Sequence, residues 1–148
     1  MVEESRIGIY NYVYNLLYGL PKDGKVTQNV YSMNEPQELT TSDTQDGFIV
    51  IRVGNMFDES EFPMQTYASV RVFVIAYIPP MSRGRLNKTK YSAMEDAINH
   101  VINEEMSNGT NEHYSIQSDG VLSMDDAADT NADNSYYMFV KSFIVTIS

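Results

Sequence analysis

The feature that most constrains this chain is a long apolar segment, residues 67–78, that is hydrophobic on both sides of an extended strand. Successive side chains of a strand point to opposite faces, and here both alternating sets are apolar from Val72 onward. Such a strand is buried on both sides, so we expect it at the centre of a sheet, with a helix or a partner covering each face. Pro79 and Pro80 end it, because proline has no N–H to donate to a neighbouring strand.

A second long strand is predicted at the carboxyl end of the chain, over residues 136–147, where aromatic and β-branched residues are dense. We expect it to pair with the strand at 67–78. Weaker patterns predict two short strands and a hairpin turning at Asp119-Gly120. These lie at about 29–33, about 47–54 and about 114–124.

Two amphipathic helices accompany the strands. The first covers residues 3–18, and its apolar positions recur every three or four residues. They are Ile7, Tyr10, Val13, Tyr14 and Leu17. The second covers residues 91–106 and begins with a capping box formed by Ser92 and Glu95. Together the elements predict one α+β domain over residues 1–148: a twisted, mostly antiparallel sheet with two long central strands, flanked by an N-terminal helix and a second helix.

The chain is long enough to fold without covalent or metal cross-links. A domain of its 148 residues buries roughly 70% of its unfolded surface. It contains no cysteine, which excludes thiol catalysis and Cys-ligated zinc. Glu3 and Glu4 oppose a signal peptide, and no apolar run approaches the roughly 20 residues of a membrane span. We therefore expect a protein without membrane contact that stays in the cell or leaves it inside a particle.

Charge is strongly segregated along the chain, whose net charge is −10. The cations concentrate in one short segment, and no Lys or Arg follows it until Lys141. That basic segment contains Arg83, Arg85, Lys88 and Lys90. The interval after it is acidic, and its later part contains Asp125, Asp126, Asp129 and Asp133. One interpretation is a solvated surface that keeps the protein soluble.

The other interpretation is that these charged residues form subunit interfaces. Ring subunits place one face against a different face of the next copy. We predict that the basic segment contacts an acidic surface of a neighbour, while nearby apolar side chains supply affinity. The candidates for that apolar contact are Tyr77, Met81 and Leu86. Sequence-independent nucleic-acid binding is disfavoured, because it needs a net positive footprint along the backbone. Sequence-specific binding is not expected either, although passing DNA could touch the basic segment.

No catalytic, cofactor-binding or metal-binding residues are predicted, and we expect no enzymatic activity. The two histidines, His100 and His113, are too far apart for a metal pair, and no nucleophile–base arrangement can be argued from them. Residues 129–140 begin like a calcium loop. However, Asn134 stands where the loop needs Gly and Val140 where it needs Glu.

The element order resembles that of the tail-terminator and tail-completion (neck) proteins of tailed bacteriophages and prophages. The resemblance rests on the N-terminal helix, the short Val30–Ser32 strand, the Val70–Tyr77 strand, the Tyr91–Ile102 helix and a closing strand pair. It implies a structural role in the virion: copies of the protein form a ring between portal and tail, beside portal, connector or tail proteins. The polar loop at 35–46 and the acidic stretch at 104–133 depart from that pattern and leave open which ring the protein forms.

Two other classes of function remain open from the sequence. A small acidic monomeric binding or accessory protein would use the acidic stretch to dock on a basic partner. A small enzyme would need a pocket lined by convergent polar groups, and the sequence offers no candidates for them. The mass of the purified particle separates a monomer from a ring.

Overall fold

The structure, a computed structural model, describes residues 2–32, 45–58, 68–109, 113–129 and 136–147. Its helices are α1 (Val2–Leu17) and α2 (Lys88–Asn108). Its strands are β1 (Val30–Ser32), β2 (Phe48–Asp58), β3 (Ala68–Ile78), β4 (Tyr114–Asp129) and β5 (Tyr136–Ile147). Single 3₁₀ turns occur at Pro21–Asp23 and Ser82–Gly84. The predicted polar loop at 35–46 lies outside the described residues except for Gln45 and Asp46.

The five strands form one sheet in the order β1-β2-β3-β5-β4. β1 and β2 run parallel, and the other neighbouring pairs are antiparallel. The predicted pairing of the two long strands is confirmed: β3 and β5 stay in register from Ala68 opposite Ile147 to Ile78 opposite Tyr137. The molecule is therefore an α+β domain with a mostly antiparallel sheet and two long central strands, as expected.

Both helices pack on one face of this sheet, α1 over β1 and β2 and α2 over β3 and β4. The core between the layers is built from alternate residues of the strands and one stripe of each helix. From β3 it takes Val70, Val72, Val74, Ala76 and Ile78; from the helices it takes Ile9, Val13, Leu17, Ile98 and Ile102. Burial of each such aliphatic side chain contributes about 1.5–3 kcal/mol, so this layer is the main source of stability.

The opposite face of the sheet carries a second, aromatic cluster. Phe48 stacks on Tyr77 with ring centroids 4.6 Å apart, and Tyr136 meets Phe48 edge-on at 5.7 Å. Val50 and Ile75 are buried in the same cluster. β3 is thus buried on both faces over residues 74–78, as predicted, whereas Arg71 is exposed and Phe73 half-buried. The helices, however, do not cover one face each: they contact each other and form a single layer.

Helix α1 buries a stripe that is rotated from the predicted one and shares Val13 and Leu17 with it. Its buried residues are Ile9, Tyr12, Val13 and Leu17. Ile7 is instead 61% exposed, and Tyr10 and Tyr14 are half-buried. Both stripes have spacings of three and four residues, so periodicity alone does not choose between them. The rotation of α1 is decided by its packing against β2 and α2.

Helix α2 begins a turn earlier than predicted, at Lys88. The Asn87 side chain accepts a hydrogen bond from the Lys90 backbone N–H at 3.1 Å, so Asn87 is the N-cap. The predicted Ser92–Glu95 capping box is wrong, because Ser92 lies inside the helix. Glu95 has another use: its carboxylate lies 2.9 Å from Lys141 Nζ of β5.

The predicted hairpin at 114–124 is also wrong. β4 is one strand that pairs antiparallel with β5, and the acidic residues 125–129 belong to it. The register shifts between Ser118 and Ser123, so Asp119-Gly120 falls in a bulge-like irregularity rather than in a turn. β5 pairs with both ends of β4, from Tyr114 opposite Ile147 to Asp129 opposite Tyr136, and that long ladder outweighs a local two-residue turn.

A close backbone approach sets the start of β2. Gly47 has φ +86°, and a Cβ there would overlap the carbonyl oxygen of Tyr77 in β3. The Asn29 side-chain amide donates to the Gly47 carbonyl oxygen at 3.0 Å, which ties the segment before β1 to the same point. Glycine is required because of both its positive φ and the lack of room.

We expect Gly47→Ala to destabilise the fold by about 3 kcal/mol, because strain at positive φ and overlap with a central strand add together. Gly24→Ala is the matched control, since Gly24 has φ +80° but nothing within 4 Å of a Cβ. It should cost about 1 kcal/mol. Urea unfolding of both variants measures the difference. Equal losses would show that the Gly47–Tyr77 approach does not constrain the sheet.

A tyrosine of α1 joins both helices to the edge strand. The Tyr12 hydroxyl donates to Glu105 Oε2 of α2 at 2.6 Å, and its ring stacks on Tyr114 of β4 with centroids 5.2 Å apart. Burial, reinforced by the hydrogen bond to the Glu105 carboxylate and by its charge, raises the pKa of Tyr12. A Cβ at Gly8 would overlap the Tyr114 hydroxyl, so glycine permits α1 this approach.

Tyr12→Phe should lower the free energy of unfolding near neutral pH by about 1–2 kcal/mol, because Glu105 loses its donor. The raised pKa keeps Tyr12 protonated in the folded state after it ionises in the unfolded chain. Wild-type stability from this residue is therefore full below about pH 10 and is lost as the pH rises further. The free energy of unfolding should be measured for both proteins at about pH 8 and about pH 11. The difference between wild type and variant should be smaller at the higher pH. An equal difference in the free energy of unfolding at both pH values would contradict the assignment of this stability to the protonated Tyr12 hydroxyl.

Candidate interaction surface

The basic segment, residues 81–90, connects β3 to the first turn of α2. Its tip is the 3₁₀ turn Ser82–Gly84, and the Met81 N–H donates to the Arg85 carbonyl oxygen across it at 2.7 Å. From β5, the Tyr137 hydroxyl donates to the Gly84 carbonyl oxygen, also at 2.7 Å. These bonds hold the tip against the end of the sheet, so it presents a defined surface.

The basic segment, whose tip and flanking residues are here called the basic tip, exposes three cations and one large apolar side chain. Arg83, Arg85 and Lys88 are exposed, and Met81 is 45% exposed. Arg83 adopts the left-handed conformation, with φ +64° and ψ +26°, which costs a non-glycine residue about 1–2 kcal/mol. An apolar centre with a charged rim is the usual composition of a protein contact surface.

Two of the predicted contact residues are engaged within the chain instead. Lys90 Nζ donates to the Gln45 carbonyl oxygen and lies 4.0 Å from Asp46 Oδ1, so it ties α2 to the segment before β2. Tyr77 is 4% exposed and stacks in the aromatic cluster, so a partner cannot reach it. Leu86 is half-buried. Of the predicted apolar contacts, Met81 is therefore the most accessible.

The predicted acidic residues belong mainly to the edge strand. Asp125, Asp126 and Asp129 lie in β4, although their side chains, like the whole of Asp133, are outside the described part of the chain. Ala128 of β4 pairs with Tyr137, whose hydroxyl bonds Gly84 at the basic tip. The two charged segments thus meet at one end of the sheet. If these two segments met in neighbouring copies, the same end of the sheet would face the contact in both copies. Such a contact is isologous and does not join subunits head to tail.

Two clefts lined by described residues flank α2, and several of their polar groups are engaged within the chain. The larger, about 310 Å³, includes Lys90 and Asp46. The smaller, about 280 Å³, includes His100, Glu105 and Lys25, and Lys25 Nζ donates to the Asn15 carbonyl oxygen near the end of α1 at 2.8 Å. Within the described ranges, no three His, Asp or Glu side chains form a group that could hold a metal ion.

An exposed aromatic stripe on α1 is absent from the predicted contact residues. Tyr10, Tyr14 and Tyr18, here called the tyrosine ladder, have consecutive ring centroids 5.6 and 4.8 Å apart. Tyr18 is 39% exposed, and Ile7 extends the stripe by one turn. The four-residue spacing is visible in the sequence. The hydroxyl groups are the signal that distinguishes such a half-exposed stripe from a core stripe, because a buried tyrosine needs a partner.

No protein-family model matches the chain, and no curated protein matches it. Among the helices that the structure describes, none combines the length and the apolar character needed to span a membrane.

Arg83→Gly should raise the free energy of unfolding by about 1 kcal/mol, because glycine adopts the left-handed conformation without strain. Arg85 is the matched control: its backbone is extended, with φ −77° and ψ 147°. Arg85→Gly should therefore lower stability slightly, by about 0.5 kcal/mol. Thermal unfolding of both variants tests the sign. A loss of stability in Arg83→Gly would show that the arginine side chain stabilises the turn.

Proposed function

We propose that this protein is a structural virion subunit of a tailed phage or prophage, forming an oligomeric ring at the neck or tail. The roles in question are tail terminator, tail completion protein and head–tail connector. The resemblance in element order supplies the class. The observation that carries the proposal is the basic tip, in which exposed Arg83 is held in a strained, hydrogen-bonded turn with exposed Arg85 directly after it. Strain of this kind persists where the surrounding structure imposes it, and it clusters at functional sites.

The fold supplies a stiff frame for such a contact. β3 and β5 share a long unbroken register, and the tip is bonded to β5 through Tyr137. Glu95 of α2 is paired with Lys141 of the same strand. A ring subunit needs this rigidity, because the angle between successive copies decides whether the ring closes or grows into a filament.

The exposed cations of the tip would orient neighbouring copies as they associate. Copies carrying a net charge of −10 repel one another at long range, and an exposed cationic tip provides a local attraction against that background. Exposed charges of this kind orient association and raise its rate more than they add affinity, and salt weakens them. Apolar contact around Met81 would supply affinity. The partners are other copies in the ring and adjacent portal, connector or tail proteins, with DNA passing through.

We expect the purified protein to form a discrete oligomer, with Arg85→Glu slowing its assembly severalfold at low salt. Lys22→Glu is the matched control, because Lys22 is also exposed and changes the net charge equally. It should assemble like wild type. Sedimentation velocity and light scattering at about 0.05 M and about 0.5 M salt give the mass and the rate.

Two outcomes would count against this proposal. A wild-type monomer at every concentration, alone and beside purified neck components, would favour the alternative of an acidic accessory protein that docks on a basic partner. An effect of Lys22→Glu equal to that of Arg85→Glu would show that net charge, rather than the tip, governs association.

A further inference from the structure

We infer that Asn108 is a site of spontaneous covalent modification, at which the side-chain amide is lost and a carboxylate takes its place. This modification is separate from the proposed ring function and does not depend on it. Asn108 is the last residue of α2 and is followed by Gly109. The sequence contains no other Asn-Gly pair, and both residues of this one are exposed.

The reaction needs no enzyme and no reactant other than water. A solvent base removes the proton of the Gly109 backbone N–H, and the nitrogen attacks Cγ of Asn108. The new C–N bond closes a succinimide ring, the Cγ–Nδ2 bond breaks, and Nδ2 leaves as ammonia with a proton from water. Water then opens either carbonyl of the ring, which yields aspartate or isoaspartate at position 108. Glycine in the following position favours ring closure, because it has no side chain to crowd the attacking nitrogen.

The end of α2 requires this glycine. A Cβ at Gly109 would lie 2.7 Å from the Glu105 carbonyl oxygen, closer than real Cβ atoms approach other atoms. Gly109 also leaves the helical conformation, with φ −56° and ψ 129°. The residue that ends the helix is therefore the same residue that makes Asn108 reactive.

The Asn108 side chain is accessible to the reaction. Its amide donates to Glu104 Oε2 at 3.2 Å, in an exposed contact, and such a bond exchanges readily for one to water. Helix ends fray, and local opening of this kind costs much less free energy than global unfolding. Asn108 therefore leaves the helical conformation, and reaches the geometry for ring closure, without unfolding of the domain.

A contact from α1 restrains that opening. Glu105 belongs to the same last turn of α2, and its carboxylate accepts the hydrogen bond from the Tyr12 hydroxyl at 2.6 Å. Tyr12 is buried, so this bond ties the last turn to the core. Fraying that extends from Asn108 back to Glu105 must break it. The Tyr12–Glu105 bond therefore slows the modification of Asn108.

The modification would loosen the end of α2. A carboxylate at position 108 stands four residues after Glu104 and repels it, whereas the original amide donates to it. The new charge also lies at the negative end of the helix dipole. The last turn of α2 thus becomes less stable as the protein ages.

Incubation of the folded protein in mildly alkaline buffer tests the inference. Ion-exchange chromatography follows the gain of negative charge, and peptide mapping by mass spectrometry locates it. We expect the change at Asn108 and none at Asn103, which is also exposed on α2 but is followed by Glu104. Asn108→Gln should keep its charge, because glutamine must close a larger ring. A folded protein that keeps the Asn108 amide would overturn the inference.

Two variants test the restraint by Tyr12. Tyr12→Phe should accelerate loss of the amide roughly fivefold, the effect of one lost hydrogen bond on the opening equilibrium. Ile75→Val is the matched control, because it destabilises the domain from the opposite face of the sheet. Its rate should equal that of wild type. A wild-type rate in Tyr12→Phe would show that the bond does not restrain the turn. Equal acceleration in both variants would show that the reaction proceeds through global unfolding.

Discussion

The rest of the structure depends on the burial of β3 on both of its faces. A strand with no side facing water must have neighbours on both edges, because its backbone N–H and C=O groups also need partners away from solvent. β2 and β5 provide them. The helix layer then covers one face of β3, and the aromatic cluster around Phe48 and Tyr77 occupies the other. This arrangement fixes where β5 ends, and therefore where the exposed surfaces lie.

The basic tip is connected to this core by a short path. β3 leads directly into the tip through Pro79 and Pro80, and Tyr137 reaches back from the paired end of β5 to Gly84. The tip is therefore positioned by the most rigid part of the sheet although its side chains are exposed. The tyrosine ladder is positioned in the same way, since Tyr10 and Tyr14 also pack against the edge of the core. Both candidate contact surfaces are thus exposed faces of well-packed elements.

The burial patterns of the long strands were predicted correctly, whereas the rotation of α1 and the patterns that depend on local competition were not. The long strands at 67–78 and 136–147 and their pairing followed from apolar side chains on both strand faces. The turn at Asp119-Gly120 and the cap at Ser92 followed from local motifs, each worth about 1 kcal/mol. A longer ladder with β5 overrode the turn, and Asn87 overrode the cap. Local motifs of this strength identify sites where an element can begin or turn, and tertiary packing chooses among them.

The sequence by itself determined the α+β class, the central strand pair and the charge segregation that marks Arg83 and Arg85. These depend on composition and alternation along one segment at a time, which the chain carries wherever it folds. Only the tertiary structure decided that Ile7 of α1 and Tyr18 directly after it are exposed. It also decided that Lys90 binds within the chain, at residues 45–46. Finally, it placed the basic tip and the end of β4 at the same end of the sheet. Each of these depends on contacts between segments distant in sequence, whose relative positions no single-segment pattern contains.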